Sequence, residues 1–295
     1  MVDLMDDAIS HYQPVRLERK RQKAGVGCLG WLIGLLVVVL GVYFLAPFRL
    51  RMVVLGIDRA PEGTAMGRSD TILLTQFEPL PGRVKMLSIP RDLWIEIPGV
   101  GENRINAVHF FAEIAEPGSG PDALRAVLRE QFGVDVPFYV RLQLEQFPAV
   151  VDALGGITIQ LDEPMSGYEA GVHTLNGEQA LAFVRDRKGS DDFARMGRAQ
   201  IFLKAVVRQM AKPATWLRLP KALAVAGRAV DTNVPAWLWP RLGLTLLRAG
   251  PEGIESRSLT REMAVPAVTA GGANVLLPQW ELILPLVQEM FGGHR

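Results

Sequence analysis

The sequence predicts a mixed α/β domain, a mixed central β-sheet flanked by helices on both faces, preceded by one N-terminal transmembrane helix. Three observations carry this reading. Ala24–Phe48 contains no charged residue. Three short apolar runs, Met52–Ile57, Thr71–Phe77 and Arg83–Ile89, follow soon after it with the length and flanking turn residues of strands. Beyond them, amphipathic helical stretches and further strand-like runs mix without a clean alternating repeat, the pattern of a layered mixed sheet.

The uncharged stretch is long enough to span a bilayer as a helix, which needs roughly 20 apolar residues. Arg16, Arg19, Lys20, Arg21 and Lys23 precede it. By the positive-inside rule, residues 1–23 form a cytoplasmic basic tail, 24–48 the transmembrane helix, and everything after Arg49 lies outside the cytoplasm. A cleaved signal peptide is the alternative. The apolar run exceeds a typical signal core and no small-x-small site precedes Arg49, so the anchor reading is favoured. Gly25-Val26-Gly27-Cys28-Leu29-Gly30 matches the dinucleotide pattern G-x-G-x-x-G, but it follows a basic tail rather than a strand and is rejected on that context. Cys28 is the single cysteine, so the chain has no internal disulfide. The formal net charge is +1, and the absence of a basic excess excludes a general nucleic-acid binder.

In the outer part, Met52–Ile57 ends at Asp58 as a buried strand, and Ala60–Gly67 is a loop rich in turn residues. Thr71–Phe77 and Arg83–Ile89 read as a hairpin around Pro79-Leu80-Pro81-Gly82, and Leu93–Ile97 as a short fourth strand. Arg104–Glu113 looks helical. Asp122–Phe132 is a clearer amphipathic helix with Ala123, Leu124, Val127 and Leu128 on one side. Phe138–Leu142 is a strand. Glu145–Leu154 is a helix stopped by Gly155-Gly156, and Ile157–Leu161 is a strand. Asn176–Val184 and Arg198–Met210 are helices. Residues 212–295 hold two further helices, Ala236–Arg248 and Trp280–Phe291, and form an extension that completes the outer domain.

The chemistry concentrates in Leu181–Gln200, which carries four arginines, one lysine and three aspartates. Arg185 and Arg187 share a direction if the chain is extended there, and Arg195 and Arg198 share a helix face. Arginine suits phosphate because its paired N–H donors match phosphate oxygens. The competing reading is a self-neutralising solvated loop. Two more acid–base clusters, Ile57–Asp70 and Ser88–Asp92, adjoin predicted strands, and such convergence at strand ends is how an anion-plus-metal site is built. Asp58 and Asp70 are hard oxygen ligands at the ends of adjacent strands, and magnesium is usually held by one or two carboxylates together with substrate phosphates. Against this, Asp58 reads as a strand-end turn residue and Asp70 as a salt-bridge partner of Arg68. There is no P-loop, H-E-x-x-H or G-x-S-x-G. The four histidines are scattered, and His109 and His173 read as surface or core-rim residues. Ser69 and Ser88 lie in the charged clusters without a histidine to activate either.

The segments VVLGIDR, GRSDTILL, KMLSIPRDLWIEIPG, RINAV, FPAVVDALGGITI, LNGEQALAFVRDR and SDDFARMGRAQIFL occur in that order. Together they resemble the LytR–CpsA–Psr family of cell-envelope proteins over Met52–Met210, so that 49–211 would be the catalytic domain. The resemblance implies a phosphotransferase that moves a glycopolymer from an undecaprenyl-pyrophosphate carrier to peptidoglycan or a similar envelope acceptor. It implies a mixed sheet flanked by helices, with an apolar groove for the polyprenyl chain. The expected groove walls are the helices at Asp122–Phe132, Glu145–Leu154 and Arg198–Met210. Carried over by motif position, Asp58 and Asp70 hold Mg2+, and Arg68, Arg91, Arg185 and Arg187 grip the pyrophosphate. Arg104, Arg195 and Arg198 match charged motif positions. Asp192 stands near the arginines, and Arg91, Arg187 and Asp192 are the expected catalytic set. Phosphoryl transfer depends on positioning and charge stabilisation, which arginines and magnesium supply.

The chain departs from the family pattern twice. After Arg198 the family usually has glutamine, whereas Ala199 stands here with Gln200 next. Either Gln200 takes over that contact or the contact is missing. After Arg104 the usual tyrosine- and glycine-rich stretch is replaced by Val108-His109-Phe110-Phe111. Three rival functions use the same residues: a hydrolase with water as acceptor, a non-catalytic lipid- or glycan-binding module, and a transcriptional regulator. The tail before residue 24 is too short for a DNA-binding domain.

Overall fold

The computed structural model describes residues 28–58, 61, 64–186, 192–210 and 212–292, with the side chains of 28, 192–196, 199, 203, 210, 213, 219, 223 and 228 also outside the description. Two compact units meet between Tyr43 and Phe44. Helix α1 (Cys28–Leu45) carries no charge, and its large side chains, Leu29, Trp31, Leu36 and Val38 among them, are exposed. It ends at Leu45, three residues before the predicted span does. Pro47 accounts for the early stop, because the residue before a proline is pushed out of the helical region. Its 18 residues reach ~27 Å at ~1.5 Å per residue, against a hydrocarbon core of ~30 Å. Among the described residues no helix is long and apolar enough to cross a membrane; residues 24–27 lie outside them.

The second unit contains, in chain order, β1 (Leu50–Asp58), β2 (Arg68–Glu78), β3 (Arg83–Ile89), β4 (Trp94–Ile97), β5 (Gly101–Arg104), α2 (Asn106–Ala115), α3 (Gly120–Phe132), β6 (Phe138–Gln143), α4 (Phe147–Leu154), β7 (Ile157–Leu161), β8 (Gly171–Leu175), α5 (Gly177–Arg185) and α6 (Asp192–Met210). Then come α7 (Pro213–Trp216), α8 (Leu219–Ala229), β9 (Val230–Thr232), a 3-10 turn (Ala236–Leu238), α9 (Trp239–Ala249), β10 (Ile254–Ser258), β11 (Ala264–Val268), β12 (Asn274–Pro278) and α10 (Trp280–Phe291). The central sheet has the order β10-β3-β2-β1-β6-β9. The β1–β2, β2–β3 and β6–β9 pairs are antiparallel, and β1–β6 and β3–β10 are parallel.

Both faces of this sheet are buried, and the period-two alternation of the strands divides their side chains between two cores. Val53, Leu55 and Ile57 of β1, with Ile72, Leu74, Leu87 and Ile89, join Leu124, Val127 and Phe132 of α3 and Val287 and Met290 of α10. Leu50 and Met52, with Leu73, Phe77, Val84 and Met86, join Val207 of α6 and Leu238 and Leu242 around α9. A third cluster packs α4, α5, α6 and α8 on the β7–β8 hairpin. The sheet is therefore mixed, with helices on both faces.

Local chemistry explains most boundaries. The helix expected from Arg104 starts at Asn106, because Arg104 is spent pairing with Trp94 as the last residue of β5. α4 starts at Phe147 with Pro148 in its first turn, where a missing N–H costs nothing. It stops at Gly155, whose φ of 87° is the left-handed cap glycine adopts without a Cβ clash. Asn176 caps α5 in a reciprocal capping box with Gln179. Gly177 then lets α5 press on α4, since a Cβ there would stand 2.2 Å from the Pro148 carbonyl oxygen. The extension after residue 212 is not only helical. It supplies β9 and β10 to the two edges of the central sheet and a separate β11–β12 hairpin.

Candidate active site

β1 and β2 deliver two carboxylates to one end of the sheet. Asp58 is the last residue of β1. The β1–β2 register slips there: Gly56 faces Thr71 but Ile57 faces Ser69, leaving Asp70 as the extra residue of a bulge. A bulge re-aims a side chain and ends regular pairing. Here it brings Asp70 into the lining of a cavity of about 430 Å³ that Asp58 and Arg68 also line. The opposite wall comes from the turn after β3. Pro90 cannot donate to the ladder, so the strand ends and Arg91 and Asp92 turn into the cavity.

The cavity side chains form one polar chain. Arg91 Nη1 donates to Asp70 Oδ2 at 3.0 Å, and Asn106 Nδ2 donates to Asp70 Oδ1 at 3.3 Å. Arg91 Nε lies 3.5 Å from Asp92 Oδ2, and Arg104 Nε 3.2 Å from Asp92 Oδ1. Asp70 thus pairs with Arg91, where the sequence had offered Arg68. Arg104 also donates to the Asn274 carbonyl at 2.6 Å, and the Leu276 N–H donates to the Asp92 carbonyl at 2.9 Å. The β11–β12 hairpin therefore buttresses this wall. Asp58 is ion-paired with Arg185, which reaches Glu145 at 3.0 Å as well. Met66, Gly67, Asp92, Asn106 and Phe110 complete the lining, and none of them is among the residues assigned to the site from sequence. Asp92 and Asn106 stood in the quoted motifs, one place from Arg91 and two from Arg104.

The arginine stretch is only partly within view. Arg187 and the side chains of Asp192 and Arg195 lie outside the described residues. Arg198 is buried, and burial lowers its pKa. Its guanidinium donates to the Asp186 carbonyl just past the end of α5. Gln200 donates to Ser88 Oγ, the Arg257 carbonyl and Ser258 Oγ at 2.9–3.1 Å. Gln200 thus bonds both β3 and β10, and neither it nor Arg198 is among the cavity-lining residues. The expected groove walls are also otherwise engaged. The apolar faces of α3 and α4 are packed in the first and third cores, and Phe202, Ala205 and Val207 of α6 in the third and second.

Behind the cavity floor lies a buried charged group that the sequence did not predict. His109, expected at a surface or core rim, is fully buried. Its Nδ1 is 2.9 Å from the Gly67 carbonyl, which can only accept, so Nδ1 carries the proton. Arg141 Nη1 donates to Glu113 Oε1 at 2.6 Å and lies 3.4 Å from His109 Nε2. Glu113 also accepts from the Gly118 and Gly120 N–H groups at 2.9 and 3.1 Å. Desolvation lowers the His109 pKa, outweighing the Gly67 carbonyl and Glu113. Burial would raise the Glu113 pKa, but the two backbone N–H groups and Arg141 hold it below the usual glutamate value. Gly67 and Phe110 belong to the cavity lining, so the group fixes the backbone from which Arg68 projects.

A LytR_cpsA_psr family model matches residues 49–279. The chain belongs to this family. Among its relatives is the polyisoprenyl-teichoic acid–peptidoglycan teichoic acid transferase TagU of Oceanobacillus iheyensis, 32% identical over 191 residues, covering 63% of this chain and 59% of the relative. The regulatory protein MsrR of Staphylococcus aureus is 29% identical over 195 residues, covering 63% and 57%. The matched region spans less than two thirds of either of these relatives. Among solved LytR_cpsA_psr structures, B. subtilis TagV superposes with a TM-score of 0.67 at 23% identity, over 85% of this chain and all of that one. TagT bound to LIIa-WTA gives 0.65 at 25% identity, over 83% and 91%. The shared fold is the mixed sheet with helices on both faces.

Proposed function

We propose that the chain is a membrane-anchored, extracytoplasmic phosphotransferase that moves a glycopolymer from an undecaprenyl-pyrophosphate carrier to peptidoglycan or a similar envelope acceptor. The observation that carries the reading is the cavity in which Asp58 and Asp70 stand with Arg68, Arg91 and Arg104. The name of the TagU relative supports the substrate class. In the reaction, an acceptor hydroxyl attacks the sugar-linked phosphorus, the bond to the bridging oxygen breaks and polyprenyl phosphate leaves. Asp192 is the residue assigned to receive the hydroxyl proton. Arg68, Arg91 and Arg104, with Arg185 and Arg187, hold the phosphates and the charge that develops on the leaving oxygen.

Charge balance argues for a cation with the donor. Three carboxylates, Asp58, Asp70 and Asp92, face three guanidinium groups in the cavity lining, so an incoming pyrophosphate meets arginines already matched by carboxylates. Among the described residues no group of three or more histidine, cysteine or acidic side chains is arranged to hold a metal by itself. Two carboxylates plus phosphate oxygens is the usual magnesium environment. Asn106 Oδ1, buried at the cavity with no hydrogen-bond donor among the described residues, adds a third hard oxygen. These residues fit Mg2+, with Asp58 and Asp70 as its ligands. Bound there, the ion would neutralise charge on the pyrophosphate.

The full chain, given a lipid-linked oligosaccharide and peptidoglycan, is expected to form a covalent polymer–peptidoglycan linkage. Release of polymer to water without linkage would make it a hydrolase, and no consumption of donor would make it a binding module. In the same assay Arg91→Lys is expected to lower kcat/KM about tenfold or more, because a charged contact is worth ~1.5–3 kcal/mol and lysine lacks the two-pronged donor that spans Asp70 and Asp92. An unchanged kcat/KM would remove Arg91 from phosphate binding.

The anchor and its orientation rest on the uncharged stretch, the basic residues before it and the exposed apolar surface of α1. Protease added to intact protoplasts is expected to digest the second unit. Protection until lysis would reverse the topology.

A further inference from the structure

We propose that the face made by the 3-10 turn Ala236–Leu238 and the start of α9 rests on the lipid headgroups of the membrane, with Trp237 and Trp239 as interfacial anchors. The inference rests on the membrane anchoring proposed above and goes beyond it by naming the side of the folded unit that meets the bilayer.

The first support is the attachment of α9 to the chain leaving the apolar segment. Arg241 is buried, its guanidinium stacks over the Phe48 ring at 5.6 Å, and it donates to the Ala46 carbonyl. Phe48 is three residues beyond the end of α1, a reach of at most ~11 Å for an extended chain. If the apolar segment is in the bilayer, Arg241 therefore holds the start of α9 within that reach of its surface. Leu238 and Leu242 are buried in the same core as Leu50, the first residue of β1. The turn thus packs at the end of the sheet where the chain enters from α1.

The second support is what this segment shows to solvent. On either side of buried Leu238, Trp237 and Trp239 are 62% and 43% exposed, and Phe48 is exposed as well. Tryptophan concentrates at membrane–water boundaries, because its ring is apolar while its N–H needs a polar partner. The exposed charge in Ala236–Ala249 is Arg248, and the segment has no acidic residue, so anionic headgroups do not repel it.

The placement has a consequence for substrate access. β1 runs from Leu50, at this face, to Asp58 in the cavity lining, a strand length of ~26 Å at ~3.3 Å per residue. The cavity then stands up to that distance from the headgroups, where a cell-wall acceptor can approach it. The carrier's pyrophosphate must be lifted towards it along the protein.

The test uses the full chain in vesicles of phosphatidylethanolamine and phosphatidylglycerol, with Cys28→Ser and one new cysteine carrying a fluorophore. Trp237→Cys reports the proposed face, Val268→Cys an exposed site on the β11–β12 hairpin, and Trp31→Cys the apolar segment. Headgroup-spin-labelled lipid is expected to quench position 237 several-fold more than position 268, and acyl-chain-labelled lipid to quench position 31. Quenching at 31 with 237 no more quenched than 268 overturns the proposed face while leaving the anchor intact. No quenching at 31 or 237 overturns the anchoring itself, and this inference with it.

Discussion

Asp70→Asn is expected to lower transfer from a lipid-linked donor about 100-fold and to abolish magnesium binding, with the fold intact. The carboxylate accepts from Arg91 on one oxygen and Asn106 on the other. An amide of the same size must turn its own NH2 towards one of those donors, losing one contact outright as well as the charge. Contacts to charged groups are worth ~1.5–3 kcal/mol, and each ~1.36 kcal/mol is tenfold in rate. Asp92→Asn is the paired control. Asp92 bridges Arg91 and Arg104 and is not assigned to the metal, so this variant should still bind magnesium while binding the donor more weakly. Calorimetry with magnesium and a pyrophosphate analogue separates the two. Wild-type magnesium binding by Asp70→Asn, with loss in Arg91→Lys, would reverse the roles assigned to carboxylate and arginine.

The strands that build this site were legible because each is an apolar run closed by a residue with a definite backbone preference. Arg83–Ile89 ends at Pro90, and its bounds agree between sequence and structure. The bulge was not legible, since nothing in Gly67-Arg68-Ser69-Asp70 tells regular pairing from a one-residue slip. That slip decides which side chain reaches the cavity. β10 and β11 are short, and β10 is a strand through its pairing with β3 rather than through its own composition, Ile254-Glu255-Ser256-Arg257-Ser258. Gln200 and Arg198 are assigned by motif position, which does not reveal their partners: Gln200 donates to Ser88, Ser258 and the Arg257 carbonyl, supplied by segments remote in sequence, and Arg198 donates among others to the Asp186 carbonyl. The substituted stretch Val108-His109-Phe110-Phe111 divides its work, with His109 buried behind the cavity and Phe110 in its wall.

Glu113→Gln is expected to destabilise the second unit by about 3–5 kcal/mol, the usual cost of leaving one member of a buried ion pair uncompensated. At roughly 2–4 °C per kcal/mol for a domain of this size, the Tm should fall by on the order of 10 °C. Glutamine has one acceptor oxygen where Glu113 uses two, Oε2 for the Gly118 N–H and Oε1 for the Gly120 N–H and Arg141, so it must also set its NH2 against at least one of these donors. It leaves Arg141 paired only with Asp231, whose carboxylate is half exposed. The same buried group sets a pH dependence. His109 has its folded pKa below the ordinary histidine value of 6.5, so between 6.5 and that lower value the unfolded chain binds a proton that the folded chain refuses. Stability therefore falls as the pH drops through this window. Glu113, with its pKa below 4.5 in the folded state, adds a second loss at lower pH, because its stabilising charge is removed as the pH falls through the folded pKa. Thermal unfolding of the full chain from pH 8 down to about 2 should show the two-stage decline, with the first stage missing in His109→Gln and the second in Glu113→Gln. A Tm for Glu113→Gln within a degree or two of wild type at pH 7.5 would show that Arg141 finds its charge partner elsewhere, and the buried group would lose its role in holding Gly67 and Arg68 at the cavity.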